Sequence, residues 1–261
     1  MITFDCFPGG KKYCVTFSFD DGPSEDARLV KLFDKYGLRG TFNICDGCLD
    51  RLGADGLKEV YGTHEIACHG RKHLSIDTIS DATLINEIFG QRKLLESALG
   101  QPICGMAYPC ARFNDSSIET LKKCGIVYSR TGAGGNFNVP SDFMRWNPTC
   151  HFKQGLENAE RFFKMMDGYF AGPRIMYVWG HAFELRTEED WTLLEQFCEI
   201  ISNNERIWYA TNMEIYRYMQ AVYSLVISAD ETIVHNPSAT DVWIAYHRKP
   251  VKIPAGQTVK L

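Results

Sequence analysis

The stretch Ser18-Phe19-Asp20-Asp21-Gly22-Pro23 sets two carboxylates side by side directly after an apolar run, Tyr13–Phe17. Adjacent like charges repel, and a bound cation relieves that repulsion. About fifty residues on, His69-Gly70-Arg71-Lys72-His73 offers two imidazoles four positions apart. They face the same way if the segment is helical, so both can meet one ion. Two imidazoles and one carboxylate make a metal site that keeps a position open for water, as catalytic zinc sites require. The second carboxylate is then free to take a proton. A third group, His181, follows the apolar run Ile175–Gly180. Each feature has a bland reading: Asp-Asp-Gly-Pro is a common solvated turn, a pair of histidines four apart arises by coincidence, and His181 is a satisfied core histidine. The three together, each at the end of an apolar run, are much harder to obtain by chance.

Those groups need elements to position them. Short apolar runs predict strands at Tyr13–Phe19, Gly40–Ile44, His64–Cys68, Ile103–Tyr108, Ile126–Ser129, Ile175–Trp179 and Ile207–Ala210. Amphipathic stretches lie between them: Ser24–Tyr36 with Gly37 as its stop, Ser80–Leu99 ended by Gly100-Gln101-Pro102, then Asn114–Cys124, Glu157–Tyr169, Glu188–Ile201 and Asn212–Leu225. The alternation argues for parallel strands joined by crossover helices, hence an α/β fold. Seven or so units suggest a closed or nearly closed barrel, with a doubly wound open sheet as the alternative. In a barrel, functional groups gather where strands end, which is where all three polar clusters fall. Residues 229–261 change character, with short strands at Thr232–His235, Val242–His247 and Thr258–Leu261. The expected division is a barrel over residues 1–228 and a small C-terminal β appendage over 229–261.

The whole chain narrows the function classes. It has 261 residues, 45% of them hydrophobic, which suffices for a sizeable core in one domain. A formal charge of −4 leaves no basic surface for nucleic acid. No apolar run approaches the roughly 18 residues of a membrane helix. The first residues, MITFDCFPGGKKYC, do not read as a secretory signal. A chain starting at Met1 is therefore expected in the cytoplasm, or outside the cell if a leader has been removed. The ten cysteines lie partly in strand-like runs and read as reduced thiols, not as a disulfide framework.

Taken together, SFDDGP, HGRKH and the late strand-end histidine resemble the first, second and last motifs of the polysaccharide deacetylases, carbohydrate esterase family 4, with the nodulation-type deacetylase domain. LRGTFNIC after the first helix also resembles that family's second strand, and the likeness covers roughly Lys12 to Ala210. The resemblance implies a distorted (β/α)7 barrel and metal-dependent hydrolysis of N- or O-acetyl groups on sugars, N-acetylglucosamine-type sugars foremost. Carried over by position, Asp20 is the catalytic base, Asp21, His69 and His73 hold the metal, and His181 is the acid that protonates the departing amine. Zinc is the default ion, and imidazole and carboxylate also accept cobalt, nickel, manganese or iron. The partner is an acetylated sugar or oligosaccharide; the oligomeric state is left open.

Two family motifs are altered. Where the family reads Arg-x-Pro-Tyr-Gly, Tyr108-Pro109-Cys110-Ala111-Arg112 keeps the proline only. Cys110 can still supply the backbone N–H that the family's tyrosine gives the oxyanion, and Arg112 is expected as the displaced arginine that orients the base. The fourth motif has Asp142, Arg145 and Trp146 as candidates. Tyr108, Trp146 and Arg145 are the expected sugar contacts.

Other residues have weaker claims. Cys45-Asp46-Gly47-Cys48 cannot close a structural zinc site alone. Gly132-Ala133-Gly134-Gly135 lacks the residues of a phosphate loop and reads as a connection. His151 could reach the pocket or be structural, Trp179 could pack or stack, and His64, His235 and His247 read as structural. Two competing functions remain: a carbohydrate-binding protein on a retired deacetylase scaffold, and an allantoinase-like cyclic-amide hydrolase. Retained Asp20 and His181 argue against the first, since binding needs neither base nor acid. The intact triad argues against the second.

Overall fold

A computed structural model describes residues 1–168 and 172–261. A two-residue strand, β1 (Ile2–Thr3), precedes the long strand β2 (Tyr13–Asp21). Then follow α1 (Asp26–Lys35), β3 (Gly40–Ile44), α2 (Asp46–Tyr61), β4 (Glu65–Cys68), α3 (Asp81–Leu99), β5 (Gly105–Ala107), α4 (Asp115–Lys123) and β6 (Tyr128–Arg130). The second half continues with β7 (Cys150–His151), α5 (Gly155–Asp167), β8 (Arg174–Gly180), α6 (Glu188–Ile201), β9 (Ile207–Tyr209) and α7 (Asn212–Tyr223). The predicted helix Glu157–Tyr169 corresponds to α5; its last residue, Tyr169, lies outside the described residues.

The main sheet is parallel and runs β6-β5-β4-β3-β2-β8-β7. Along one edge of β2, Tyr13–Phe19 pair with Arg174–Gly180 of β8. Along the other, Tyr13–Val15 pair with β9 and Phe17–Asp21 with β3. Beyond β6, Arg130 makes a parallel bridge to Trp146, and the chain runs from Trp146 directly into β7, which pairs with β8. Residues 146–151 thus nearly close the sheet into a distorted (β/α)7 barrel.

The two-residue period of β2 sorts its side chains. Val15, Phe17 and Phe19 lie in the apolar cluster with Leu29 and Phe33 of α1 and Phe197 of α6. The alternate set is polar and equally buried: Thr16 bonds Asn212, Ser18 bonds Asn43, and Asp20 ends the row. Asp20 therefore points into the barrel lumen at its carboxyl end, and Asp21 lies at the rim. Gly22 then turns the chain with φ 70°, and a Cβ there would stand 2.8 Å from the Cys48 side chain. Cys48 is thus a packing residue beneath the site's first turn.

The C-terminal segment forms two small antiparallel sheets. One joins β10 (Val226–Ile227), β11 (Ile233–His235) and β14 (Thr258–Lys260); the other joins β1, β12 (Val242–Tyr246) and β13 (Lys249–Ile253). The tail is therefore stitched to the N-terminus through Ile2 and Thr3, opposite Tyr246 and Ala245. The Tyr218 hydroxyl of α7 donates to the Cys6 carbonyl at 2.8 Å and accepts from the Trp243 N–H at 3.1 Å, tying the appendage to the barrel. All ten cysteines are free thiols. Among the described residues, no helix is long and apolar enough to cross a membrane.

Candidate active site

Asp20 and Asp21 leave β2 in opposite directions. Asp20 is buried, and Asn43 Nδ2 donates to its Oδ1 at 2.9 Å while Arg130 grips Oδ2. Arg130 is itself buried, bonding Ser18 Oγ at 3.2 Å and the Thr131 carbonyl at 2.9 Å, with its guanidinium 4.7 Å from the Trp179 ring. Burial pushes the Asp20 pKa up, but Arg130, His69 and His181 outweigh it and hold the carboxyl below its ordinary range.

Asp21, at the rim with φ 73°, points to two imidazoles. Its Oδ1 lies 3.5 Å from His69 Nε2 and 3.6 Å from His73 Nε2. The three donor atoms lie within 4.8 Å of one another. Tetrahedral ligands at about 2.0–2.1 Å from zinc stand about 3.3 Å apart, so this donor set fits one such cation.

The histidine segment is a loop, not the helix that would have aligned the pair. His73 takes φ 55° and Gly70 φ 81°, and the turn brings the two rings to 4.8 Å. The loop is secured from behind. His69 Nδ1 donates to the Ala107 carbonyl at 2.9 Å, which leaves Nε2 bare for a ligand, the usual way an outer partner fixes a ligand's tautomer. Gln91 of α3 donates to the Ile44 and Gly70 carbonyls at 2.8 and 3.0 Å, and Glu87 accepts the Lys72 N–H at 2.9 Å. Burial lowers the His69 pKa against the pull of Asp20 and Asp21, favouring the neutral imidazole that a metal needs.

His181 enters from the end of β8. Its Nε2 lies 3.9 Å from Asp20 Oδ2, and its Nδ1 meets Glu184 Oε1 at 2.8 Å. The same oxygen receives His151 Nε2 at 3.0 Å, and Lys153 Nζ reaches Glu184 Oε2 at 2.8 Å. Burial raises the Glu184 pKa, but these three partners outweigh it and bring the carboxyl to about 2.

The remaining expected residues divide. Cys110 sits beside the cluster on a tight turn with φ 54°, its Sγ 3.9 Å from His73 Nδ1. Arg112 does not reach Asp20. It forks onto Asp77 at 2.9–3.2 Å on the surface, and the guanidinium on Asp20 is that of Arg130. Trp146 is not a sugar platform: its indole is buried against Tyr128, Phe143 and Tyr177, so its apolar area is already covered. Tyr108 is buried too, stacked on Phe113 at 4.4 Å with its hydroxyl donating to the Met144 carbonyl at 2.7 Å. Arg145 is held by Asp142 and Asp115 at the surface, and Asp142 also caps the Met144 N–H at 2.8 Å. Among the described residues, Phe183 stands open by the cluster, 40% exposed with its ring 4.9 Å from His181.

Sequence reasoning missed Arg130 and Glu184. Arg130 directly follows the predicted strand Ile126–Ser129, a strand end bearing a charge. Glu184 is three residues past His181, within reach of one turn. A cavity of about 690 Å³ opens at the amino end of β2, lined by Lys11, Tyr13, Met166 and Arg206, and holds none of these groups.

Comparison with known proteins fits this geometry. The polysaccharide deacetylase family model matches residues 8–129. The chain is 29% identical over 116 residues to the peptidoglycan-N-acetylglucosamine deacetylase of Bacillus cereus, covering 42% of this chain and 53% of that protein. The chain spans about half the length of the curated relatives it matches. Among solved structures, the PuuE allantoinase aligns over 83% of this chain and 93% of its own with a TM-score of 0.66 at 14% identity. The Xyl-CE4 domain of a multidomain xylanase, from the hindgut metagenome of Trinervitermes trinervoides, aligns over 81% and 92% with a TM-score of 0.57 at 18% identity. At these identities the structures share the fold.

Proposed function

We propose that this chain, whose residues 8–129 match the polysaccharide deacetylase family model, hydrolyses acetyl groups on a carbohydrate, foremost the N-acetyl group of an N-acetylglucosamine-type sugar. The observation that carries this reading is the division of labour between neighbouring carboxylates. Asp21 faces His69 and His73, while Asp20 faces Arg130 and Asn43 and stays outside that donor set. Asp21, His69 and His73 would hold a divalent ion, zinc by default. Such an ion supplies positive charge that lowers the pKa of a water molecule and polarises the acetyl carbonyl.

The rest falls to the protein's own groups. Asp20 takes the proton of the attacking water, and Arg130 keeps the carboxylate aimed and ionised for that task. The Cys110 N–H donates to the oxyanion, and one such donor is typically worth about 3 kcal/mol. His181 hands a proton from Nε2 to the amide nitrogen as the carbon–nitrogen bond breaks, releasing acetate and the free amine. Phe183 offers the sugar ring an apolar face beside His181. The likeness to the Bacillus cereus enzyme supports an N-acetylglucosamine-type substrate over an O-acetylated one.

The test is acetate release from chitooligosaccharides, peptidoglycan fragments and acetylated xylan, with and without chelator, with allantoin as a further arm. Chelator-sensitive acetate release from an N-acetylated sugar is expected, with Phe183→Ala raising KM several-fold at nearly constant kcat. Sugar binding without turnover would favour the retired scaffold, and allantoin turnover alone the cyclic-amide hydrolase.

A further inference from the structure

In the parallel register of β2 and β3, Asn43 stands beside Asp20 and Thr41 beside Ser18. Ser18 and Asp20 are two positions apart on β2, so their side chains share one face of the sheet, the lumen face. Asn43 is wholly buried, and its Nδ2 lies 2.8 Å from Ser18 Oγ, 2.9 Å from Asp20 Oδ1 and 3.4 Å from the Phe19 carbonyl. A carboxylate and a carbonyl only accept, so the amide nitrogen, not the amide oxygen, faces them. The side-chain bonds of Asn43 thus all run to β2, and none reaches Asp21, His69 or His73.

The two oxygens of Asp20 have different surroundings. Oδ2 lies 3.8 Å from His69 Nε2 and 3.9 Å from His181 Nε2, so it is the oxygen that fronts the metal-ligating set and the acid. Arg130 grips this same oxygen from across the lumen. Oδ1 is turned to β3 and taken by Asn43. Ser18 Oγ links the two donors, since it receives Asn43 Nδ2 at 2.8 Å and Arg130 Nε at 3.2 Å. The last side-chain torsion of an aspartate is broad and weakly restrained by itself. A grip on Oδ2 alone leaves the carboxyl group free to turn about that bond. A second donor on Oδ1, set on the adjacent strand by the sheet register, stops the turn.

Resting on the deacetylase reading, we infer that Asn43 is a positioning residue for the base. With Ser18 as the anchor it shares with Arg130, it locks the plane of the Asp20 carboxyl group, so that Oδ2 is the oxygen that takes the proton of the attacking water. Asn43 lies beneath the site and outside the metal-ligating set, so its loss acts on turnover and leaves sugar and metal binding in place.

The test is Asn43→Leu in the full, zinc-loaded chain. Leucine has nearly the shape of asparagine, with methyl groups where the amide oxygen and nitrogen stood. On an N-acetylated chitooligosaccharide, kcat is expected to fall by about 10–10²-fold, with KM within about twofold of the parent and zinc affinity unchanged. Ser18→Ala, which removes the anchor and keeps the Asn43 donor, is expected to fall less, by about 3–10-fold. Crystal structures of the parent and of Asn43→Leu should show the Asp20 carboxyl group turned in the variant. An unchanged kcat, or a zinc affinity that falls in step with kcat, overturns the inference. So does the unfolding of both Asn43→Leu and Asn43→Ala, which would mark the amide as structural. If the parent releases acetate from no sugar, the deacetylase reading falls and the crystal comparison decides alone: a turned Asp20 upholds the lock, and an unturned one overturns it.

Discussion

Arg130→Met is expected to destabilise the fold by about 3–5 kcal/mol and to lower turnover by about 10²-fold or more. Methionine nearly matches the length of arginine, so the loss comes from charge, not from a void. Without the guanidinium, Asp20 stays buried in the lumen with Asn43 as its one remaining close donor, and a buried carboxylate stripped of its partner is strongly unfavourable. Ser18 and the Thr131 carbonyl lose a donor, and Trp179 loses the cation over its ring. The double variant Asp20→Asn with Arg130→Met removes both charges and should recover much of the stability, giving a clearly non-additive cycle. Urea denaturation followed by circular dichroism measures all three. Additive losses, or a single variant as stable as the parent, would show that the pair does not matter in this way.

Loss of either imidazole is expected to remove the metal and, with it, activity, yet the two variants should differ in the apoprotein. His73 is partly exposed, so His73→Ala should leave apo stability within about 1 kcal/mol of the parent. His69 is buried and donates to the Ala107 carbonyl, so His69→Ala also leaves a void and an unpaired acceptor, each costing about 1–3 kcal/mol. Metal content by mass spectrometry, thermal melts in chelator and acetate release together check this. Near-normal turnover in metal-free His69→Ala would refute the ligand assignment.

The fold was legible wherever period and punctuation agreed. The apolar run of β2, the glycine stop after α1 and the start of α3 at Ser80 all stand near where the sequence puts them; the Ser80 side chain accepts the Thr83 N–H. Helix α2 was not legible, because Gly47, Gly53 and Gly56 dilute its pattern and Gly53 breaks it at φ 66°. Strand β7 is only two residues long and has no run to read. On α3 the apolar residues do not all turn inward: Leu84, Ile88 and Leu95 are buried, while Ile85 and Leu94 are 44% and 41% exposed.

At the site, each polar group closes a recognisable apolar run, which points to the carboxylate pair, the histidine pair and His181, while the division into ligand Asp21 and base Asp20 comes from the family resemblance. The sequence reading goes astray where a role depends on which side chains cross the barrel. Arg112 lies in an altered motif but turns to Asp77, whereas Arg130 reaches Asp20 from β6 through the lumen. Trp146 and Tyr108 carry rings near the site, but a ring there serves the core as readily, and both are buried. Among the described residues, Phe183 combines an exposed aromatic face with a place beside His181.

The most direct test compares Asp20→Asn with Asp21→Asn, measuring bound divalent metal per chain and acetate release on the same preparations. Asp20→Asn should keep one metal and lose turnover, while Asp21→Asn should lose both. Metal retained in Asp21→Asn and lost in Asp20→Asn would contradict the assignment of base and ligand on which the whole account stands.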